Sequence, residues 1–465
     1  MEESPESMIF SNAMAIGNPD PTTRRTFLTA LSAASYARVL GANDRVQVGF
    51  IGYGLIGSQH VHDFKNQPDT DLAAMSDVYQ PRLEQGVAAC GGRAKSYPDF
   101  RKLLDDKDIQ AVVVSTPDHW HALMTIMACG AGKDVYVEKP ISLFVREGRW
   151  MVEAARRYQR VVQVGTQQRS GKHYQRAVEM LRAEYVGKVG SVRMGAFRNV
   201  MPGFGSPADG TPPGDLEYDL WLGPAPKRPY NPKRSLYHFR WFWDYSGGQM
   251  TNLGAHELDV VQWAMQVKGP TAVASSGGRF ALQDNGETPD TQDALFEYPG
   301  FTAEFSMREA SLGHRGEGKL EFFGTKGTLG IDRSGFEVFP DMKIDPSNSI
   351  PQFAGQPAGG PKHSNVPPEP WIAPFKMGGS SAEQLSLHVR NFLDCVKSRQ
   401  QPIADIEQGH QVTTACHLAN ISLRTGRKIQ WNAETEEIVG DAEASKWLER
   451  PYRKPWDDVL RSYHL

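Results

Sequence analysis

The sequence predicts an α/β protein whose N-terminal part is a doubly wound parallel sheet and whose second part is an α+β domain with a large mixed, mostly antiparallel sheet. Two observations support this prediction. From Arg45 onward, short β-rich runs alternate with amphipathic helical stretches, which is the pattern of βαβ units. After about residue 191, strand-like runs follow one another without helices between them, which favours antiparallel pairing.

Particular segments can be assigned to each part. In the first part the predicted strands, each with a helical segment before the next, are 46–51, 72–76, 111–115, 135–138 and 161–164. In the second part the predicted strands are 192–197, 301–307 and 319–323. A helical pair at 382–398 and 406–425 is expected to close the second domain, after a Pro-, Gly- and Ser-rich surface loop at 351–381 with a lid or an oligomer contact as candidate roles.

The chain therefore divides into four segments. The two domains are 45–165 and 166–432, and they are flanked by a leader and linker at 1–44 and a C-terminal tail at 433–465.

The chain has 465 residues, of which 40% are hydrophobic and 23% are charged, and its 51 Lys and Arg nearly balance its 54 Asp and Glu. Because no basic run stands out, the sequence argues against a nucleic-acid partner and favours a small neutral substrate. The four cysteines show no CxxC spacing, so we expect thiols and no structural disulfide.

The first residues predict export. Residues 23–28, TRRTFL, match the twin-arginine pattern, and a short Ala- and Ser-rich stretch follows at 28–37. That stretch is too short to span a bilayer, and no later segment predicts a membrane helix. The alternative is a solvated helix start, since Arg38 interrupts the apolar stretch. We expect a periplasmic protein if the leader is an export signal, and a cytoplasmic one otherwise.

A glycine-rich turn predicts a dinucleotide site. Gly52, Gly54 and Gly57, with Leu55 and Ile56 between the last two, directly follow an apolar strand and open a helix. The glycines permit a tight turn, and the backbone N–H groups of the helix N-terminus can then approach a pyrophosphate. This is the fingerprint of a Rossmann domain.

An acidic residue at the end of the second strand supports the same reading and bears on cofactor choice. Asp77 lies 20 residues after Gly57, close to the spacing at which a carboxylate accepts the ribose hydroxyls. A carboxylate also repels a 2′-phosphate, and neither Val78 nor Tyr79 offsets it. We therefore expect NAD in preference to NADP, although Arg82 could still reach a 2′-phosphate.

Two further strand ends are expected to meet the cofactor, because ligands of open parallel sheets bind at the carboxyl edge. The first end carries Ser115, Thr116, Pro117, His119 and His121, and the second is the sequence Glu138-Lys139-Pro140. The proline disfavours helical geometry at Lys139, so the lysine is expected to stay extended and to point into the cleft. The alternative is a surface lysine in a solvated turn.

Taken together, these motifs resemble one family. The glycine turn, residues 115–121, residues 138–140 and Gly247-Gly248 followed by His256 and Asp259 are similar to the Gfo/Idh/MocA family, which includes glucose-fructose oxidoreductase and inositol dehydrogenase. The similarity runs from about 45 to 431. It implies a Rossmann domain with a mixed-sheet domain, a homodimer or homotetramer built on that sheet, and Lys139 near the reacting hydroxyl of a sugar-like substrate.

His256 is the candidate general base. In the family that this sequence resembles, the inositol-dehydrogenase pattern has an Asp four residues before this His. This chain has Asn252 at that position. Asn can orient an imidazole or bind a sugar hydroxyl, but it cannot take a proton or stabilise an imidazolium by charge. His256 can still accept the alcohol proton while hydride leaves for the nicotinamide. The alternative is a structural histidine at a helix start.

The other candidates support these two residues. Lys139 can act as a hydrogen-bond donor to the nascent carbonyl or as a proton relay. Gln168 is a candidate cofactor contact, and the further candidate substrate contacts are Arg169, Trp243, Tyr245, Asn252 and Asp259. His119, His121 and His256 could suggest a metal, but no Cys or carboxylate beside them has zinc-site spacing and hydride transfer needs no metal, so we expect none.

Three functions stay open at this point. The first is an NAD(P)-dependent oxidoreductase that acts on a CH–OH group of a sugar, glycoside or polyol, with a tightly bound cofactor. The second is a redox-neutral glycosidase that oxidises a hydroxyl transiently, eliminates the aglycone and re-reduces the ring. The third is a non-catalytic binding protein, which would not need both Lys139 and His256. The leader favours a cofactor that returns to its starting state in every cycle, because an exported enzyme meets little free NAD.

Overall fold

The computed structural model describes residues 45–313, 319–343 and 369–465. The predicted leader and most of the predicted surface loop at 351–381 lie outside the described residues, so both stay predictions. In the part of the chain that is described, no helix is both long and apolar enough to cross a membrane. All four cysteines are free thiols.

Six parallel strands form the N-terminal sheet, in the order β3-β2-β1-β4-β5-β6. Their bounds are β1 Val46–Ile51, β2 Thr70–Ser76, β3 Lys95–Tyr97, β4 Ala111–Val114, β5 Asp134–Val137 and β6 Val162–Val164. The five predicted strands are all present. The short strand β3 was not predicted, because its three residues are not buried and carry no apolar run. The chain order reverses between β1 and β4, so the ligand crevice of this sheet is expected at their carboxyl ends.

Helices cover both faces of this sheet, which explains why every residue of β4 and β5 is buried. The connecting helices are α1 Leu55–Lys65, α2 Gln80–Ala89, α3 Phe100–Asp105, α4 Asp118–Gly130 and α5 Val145–Arg157. The predicted doubly wound parallel sheet is therefore confirmed.

The second sheet has 11 strands, with the path β15-β14-β13-β12-β7-β10-β9-β8-β16-β17 and with β11 paired to β7. The β7 and β10 strands pair in parallel and the other recorded pairs are antiparallel, which confirms the mixed sheet. Its strands are β7 Val189–Asn199, β8 Ala272–Gly278, β9 Thr291–Tyr298, β10 Phe301–Arg308, β11 Ala310–Ser311, β12 Leu320–Gly324, β13 Gly327–Asp332, β14 Gly335–Pro340, β15 Phe375–Gly378, β16 Ile429–Asn432 and β17 Glu437–Ile438.

The remaining helices of the described residues follow β6 in the chain. They are α6 Lys172–Arg182, α7 Tyr218–Leu222, α8 Ala255–Met265, α9 Ser381–Ser398, α10 Ile406–Thr425, α11 Ala442–Ser445 and α12 Trp456–Arg461. Single turns occur at Gln167–Ser170, His238–Trp241, Met250–Gly254 and Lys446–Leu448.

One helix packs differently from the sequence expectation. We expected α9 to close the second domain, but its apolar side chains pack on the N-terminal sheet. Phe392 of α9 makes edge contacts with Phe64 and Tyr136, at ring-centroid distances of 6.2 and 5.8 Å. Amphipathicity predicts that a helix has an apolar face, but it does not say which sheet receives that face.

The C-terminal tail also returns to the N-terminal sheet. Trp456 of α12 contacts Trp120 and Phe100, at ring-centroid distances of 4.8 and 6.5 Å. Segments distant in sequence therefore hold the two sheets in one arrangement, and they fix the position of the crevice between the sheets. The domain boundaries given above stay a prediction.

Candidate functional site

The glycine turn has the geometry that a dinucleotide site needs. Gly52 has a φ of +93°, and a Cβ there would lie 2.8 Å from the carbonyl oxygen of Ser115. A Cβ at Gly57 would run into the carbonyl oxygen of Gly52. No side chain caps the N-terminus of α1, and its first turn carries no acidic residue. Its N–H groups are therefore available to an anionic group such as a pyrophosphate.

A cavity lies against this turn, at the carboxyl edge of β1, β2 and β4. The predicted cofactor-binding residues that line it are Gly52, Gly54, Leu55, Ile56, Asp77, Ser115, Thr116 and Pro117. Gly57 lies behind the turn and permits the close approach of helix and strand. The sequence analysis considered Arg82 only as a contact to a 2′-phosphate, and it did not assign the three other side chains that complete this wall, Phe100, Trp120 and Met124.

The opposite wall of the cavity comes from a segment between the two sheets, residues 200–245, which we call the crossing segment. It docks on the end of β2 through the bridge between Tyr79 and Leu216. Two backbone hydrogen bonds flank this bridge, from Gln80 N to the Asp215 oxygen and from Glu217 N to the Val78 oxygen, both 2.9 Å. The residues that it contributes to the cavity are Trp221, Leu236, Tyr237, Phe239 and Arg240.

Asp77 is held in place by the backbone on both sides. Its Oδ2 accepts a hydrogen bond from Tyr53 N at 2.8 Å, and its Oδ1 accepts one from Tyr79 N at 2.9 Å. Each oxygen keeps a lone pair for a further donor. Burial raises the pKa of Asp77, while these two bonds and the charge of Arg82 oppose the rise. The geometry suits a carboxylate that accepts the two ribose hydroxyls.

Four other predicted cofactor contacts lie behind the cavity wall, where their side chains bond to protein groups. His119 Nε2 lies 3.1 Å from the Trp221 oxygen, and burial lowers the pKa of this histidine to about 3. The ring nitrogens of His121 contact the carbonyl oxygens of Pro140 and Thr116, at 2.7 and 2.8 Å.

The other two of the four are Glu138 and Gln168. The Oε1 atom of Glu138 lies 2.7 Å from His60 Nε2, and Gln168 Nε2 donates to Tyr174 Oη at 3.3 Å. The structure therefore does not bring His119, His121, Glu138 or Gln168 to the cofactor cavity. Their side chains hold the strand ends that form it.

Lys139 lies where the two domains meet. Its Nζ donates hydrogen bonds to the backbone oxygen and to Oδ1 of Asn252, both at 3.0 Å. Asn252 in turn donates from Nδ2 to Gln249 Oε1 at 2.9 Å, and Gln249 Nε2 donates to Glu309 Oε1 at 3.0 Å. Burial lowers the pKa of Lys139 to about 8. Lys139 therefore points into the cleft as predicted, and the solvated-turn alternative does not fit this geometry.

His256 lies in the first turn of α8 and is 4% exposed. Its buried Nδ1 has no hydrogen-bond partner among the described residues. Burial, and then the positive charges of Lys139 and Arg333, hold the pKa of His256 well below its usual range. The ring is therefore neutral and has a nitrogen lone pair that can accept a proton or a hydrogen bond.

Two predicted substrate contacts, Arg169 and Asp259, bond to each other. Arg169 Nε donates to both carboxylate oxygens of Asp259, at 2.9 and 2.8 Å, and both side chains are buried. Burial raises the pKa of Asp259, and Arg169 opposes the rise. The pair joins the turn after β6 to α8 one helical turn beyond His256, so it positions that histidine.

The two predicted aromatic contacts lie away from His256. Tyr245 is fully buried and packs against His119 and Trp221, at ring-centroid distances of 5.1 and 4.9 Å. Trp243 lies in a separate small cavity, where the Arg424 guanidinium stacks on its ring at 4.5 Å. In the described ranges, no group of three or more His, Cys, Asp or Glu is arranged to hold a metal ion.

A second cavity, of about 340 Å³, includes His256 in its wall. The other side chains with ionisable groups in that wall are Arg198, Glu257 and Arg333. Sequence reasoning missed these three. Glu257 follows His256 directly and could have been noticed for that reason, whereas Arg198 and Arg333 come from distant strand ends with no local signal. The cavity provides a site for a small molecule beside His256.

Comparison with known proteins supports the same reading of the chain. Residues 46–166 match the family model GFO_IDH_MocA, described as an oxidoreductase family with an NAD-binding Rossmann fold. Residues 206–276 and 380–458 match the model of the C-terminal α/β domain of the same family.

Individual relatives cover the chain to different extents. A glycosyl hydrolase family 109 protein of a Shewanella species is 36% identical over 125 residues, which cover 25% of this chain and 27% of that protein. The myo-inositol 2-dehydrogenase of Thermotoga maritima is 23% identical over 401 residues, 85% of this chain and 100% of that protein.

A solved structure shows the same fold. The WlbA dehydrogenase from Bordetella pertussis, in complex with NADH and UDP-GlcNAcA, superimposes with a TM-score of 0.60 at 20% identity, over 83% of this chain and 99% of that chain. The predicted fold is thus confirmed, and the matched NAD-binding family model confirms the NAD cofactor. Because the two family models together match more than half of its residues, the chain belongs to the Gfo/Idh/MocA family of NAD-binding oxidoreductases.

Proposed function

We propose that this oxidoreductase acts on a hydroxyl group of a sugar, glycoside or polyol, and that hydride passes from the hydroxyl-bearing carbon to NAD. One observation carries the proposal. Lys139 of the first domain donates two 3.0 Å hydrogen bonds to Asn252, four residues before His256 in the second domain, so the amine and the imidazole lie in one cleft. The charge of Lys139 accordingly adds to the effect of burial on the pKa of His256. A primary amine and a neutral imidazole in one cleft can polarise a hydroxyl group and take its proton.

The residues present fit the cofactor. The N-terminus of α1 suits the pyrophosphate, Asp77 suits the ribose hydroxyls, and the cavity between them and the crossing segment receives the rest of the nucleotide. When bound, NAD supplies the carbon that accepts hydride. The protein must then position the substrate and handle its proton.

The proton has a defined path in this proposal. His256 is neutral because it is buried, so its ring nitrogen can accept the hydroxyl proton as hydride leaves the same carbon. Lys139 has a pKa of about 8 and is mostly protonated at neutral pH, so it can donate a hydrogen bond to the substrate oxygen. Its positive charge then stabilises the negative charge that develops on that oxygen. Asn252 holds the amine in place through two neutral oxygens.

A second candidate function is the redox-neutral glycosidase, in which the hydride is returned to the same substrate. Two observations favour keeping it: the 36% identity with a glycosyl hydrolase family 109 protein, and the crossing segment over the cofactor cavity. Arg453 fixes that segment, since its Nε donates to the Gly223 oxygen at 3.0 Å and its Nη1 to Asp219 Oδ1 at 2.7 Å. An enclosed nucleotide exchanges slowly, which favours a reaction that regenerates it in place.

Localisation and assembly belong to the same proposal. Export through the twin-arginine leader would carry the folded protein with its nucleotide to the periplasm.

A homodimer or homotetramer would be built on the outer face of the second sheet. Apolar groups on that face support this, since Leu295 is 42% exposed and Arg193 stacks on the ring of Phe323 at 5.5 Å.

The first prediction concerns cofactor preference. Asp77→Ala should weaken NADH binding by about 10- to 100-fold, because a hydrogen bond to a charged group contributes about 1.5–3 kcal/mol. The same change should narrow the preference for NADH over NADPH, since it also removes the repulsion of a 2′-phosphate. Fluorescence titration with both nucleotides, on protein from which any retained nucleotide has been removed, measures the ratio, with Asp71→Ala on the exposed part of β2 as the control. An unchanged ratio would show that Asp77 does not set the preference.

The second prediction separates chemistry from binding. Lys139→Ala and His256→Ala should bind NADH normally and turn over about 10²–10⁴-fold more slowly, the usual loss when a positioned acid or base is removed. His62→Ala, at an exposed histidine of α1, is the matched control. Near-normal turnover in His256→Ala would show that His256 is a structural histidine and not the general base.

The third prediction concerns the pH profile of Asn252→Asp. A carboxylate within hydrogen-bond distance should raise the pKa of Lys139 from about 8 by roughly one unit or more. A lysine that acts as a donor works below its pKa, so the alkaline limb of kcat should move to higher pH. A lysine that relays protons as a neutral amine works above its pKa instead. In that case the acid limb of the kcat profile should move to higher pH. An unchanged profile would remove this position from the proton path.

The fourth prediction is that the nucleotide stays bound through purification. Mass spectrometry of the denatured protein's supernatant should find stoichiometric NAD, and Arg453→Ala should lose it because the crossing segment is released. With substrate and excess free NAD, product should appear without free NADH, because the bound nucleotide returns its hydride to the same substrate after elimination or to a second sugar. A nucleotide-free wild-type protein, or stoichiometric free NADH with oxidised sugar, would contradict retention and restore an ordinary exchanging dehydrogenase.

A further inference from the structure

The cavity beside His256 has a positively charged wall. Arg198 is neutralised by its ion pair with the buried Glu309. Glu257 is only partly charged at neutral pH, because burial raises its pKa to about 7. Arg333, whose side chain is exposed at the wall of the cavity, therefore adds a positive charge there that no carboxylate of the wall fully balances. A neutral sugar does not compensate such a charge.

Arg333 is presented to the cavity by a fixed turn between β13 and β14. Its carbonyl oxygen accepts a hydrogen bond from Gln384 Nε2 of α9 at 3.1 Å, and the next carbonyl, of Ser334, accepts one from Gly379 N at 2.7 Å. Asp332, the nearest carboxylate in sequence, accepts from Ser334 N at 2.7 Å and so stabilises the turn itself. The position of Arg333 is therefore set by the packing of α9 against the sheet.

The guanidinium of Arg333 makes no hydrogen bond or ion pair within residues 45–313, 319–343 and 369–465. After burial, which is the larger cause, its charge contributes to the lowered pKa of both Lys139 and His256, so it lies within electrostatic reach of the reacting groups. A planar guanidinium matches a carboxylate or phosphate in a bidentate geometry. An anionic group on the substrate would satisfy this charge.

We propose that Arg333 makes the enzyme selective for sugar substrates that carry an anionic group, a carboxylate or a phosphate. The guanidinium binds the anion while the reacting hydroxyl lies at Lys139 and His256. This inference rests on the proposed function, because it assumes that the substrate occupies the cavity beside His256. The composition of the whole chain favours a neutral substrate, because positive and negative side chains are nearly equal in number. The positive charge at Arg333 is a local feature that this total does not reveal.

The test compares three sugars that differ in one group: D-glucose, D-glucuronate and D-glucose 6-phosphate. Two readouts are used: reduction of the bound nucleotide in a single turnover on the NAD-loaded protein, and quenching of bound NADH fluorescence by the sugar on the NADH-loaded protein. The variants are Arg333→Met and Arg333→Lys. Arg176→Met is the matched control, because that arginine lies on the exposed face of α6 and pairs with Glu179.

One of the two anionic sugars should bind and react about tenfold or more better than glucose, since a charge-assisted hydrogen bond changes affinity by at least that factor. Whether it is the uronate or the phosphate identifies the anion. Arg333→Met should remove this advantage and change the reaction of glucose far less than that of the anion, because the charge of Arg333 also acts on the pKa of Lys139 and His256. Arg333→Lys should keep part of the advantage, and Arg176→Met should keep all of it.

Three results would overturn the inference: no advantage for either anion in the wild type, an equal loss for all three sugars in Arg333→Met, or the same loss in Arg176→Met. The proposed function fails separately, if no sugar reduces the bound nucleotide. In that case the fluorescence titration still decides whether Arg333 selects an anion.

Discussion

The rest of the site depends on the two hydrogen bonds from the Lys139 ammonium group to Asn252. They join the carboxyl edge of the parallel sheet to the turn that opens α8, and so they bring the catalytic candidates of both domains into one cleft. Both acceptors are neutral oxygens. The amine is therefore positioned without an ion pair, and burial can hold its pKa near 8. A carboxylate at residue 252 would raise the pKa of this lysine and move its proton exchange further from the neutral range.

A second constraint keeps His256 opposite that lysine. The buried pair of Arg169 and Asp259 ties α8 to the turn after β6, and loss of one partner of a buried ion pair typically destabilises a protein by about 3–5 kcal/mol. The crossing segment adds a third contact between the parts of the molecule, through the bridge beside Asp77. The cofactor cavity therefore exists only when the two parts of the molecule are held together. The cavity beside His256 is lined by the second domain alone, and the same contacts place Lys139 of the first domain within electrostatic reach of it.

The sequence predicted the local features well and the long-range ones poorly. The glycine turn, Asp77 and Lys139 could be predicted because each depends on a strand end within a few residues, and parallel strands place their ends at one edge. Arg169 and Asp259 were predicted to contact substrate, but they are 90 residues apart in sequence and their pairing is visible only in the folded protein. Tyr245 suggested a sugar platform because aromatic side chains suit both sugars and cores, and here it is core. Arg333 could not be found, since its place depends on how α9 packs.

The central claim is that Lys139 and His256 act on the same hydroxyl group, next to the nicotinamide. The most direct measurement is a crystal structure of the protein with NADH and an oxidised or unreactive sugar. The account predicts the nicotinamide ring facing the cavity beside His256, with one sugar oxygen within hydrogen-bond distance of both Lys139 Nζ and a His256 ring nitrogen. A sugar bound elsewhere, or a nicotinamide that does not reach this cavity, would contradict the account.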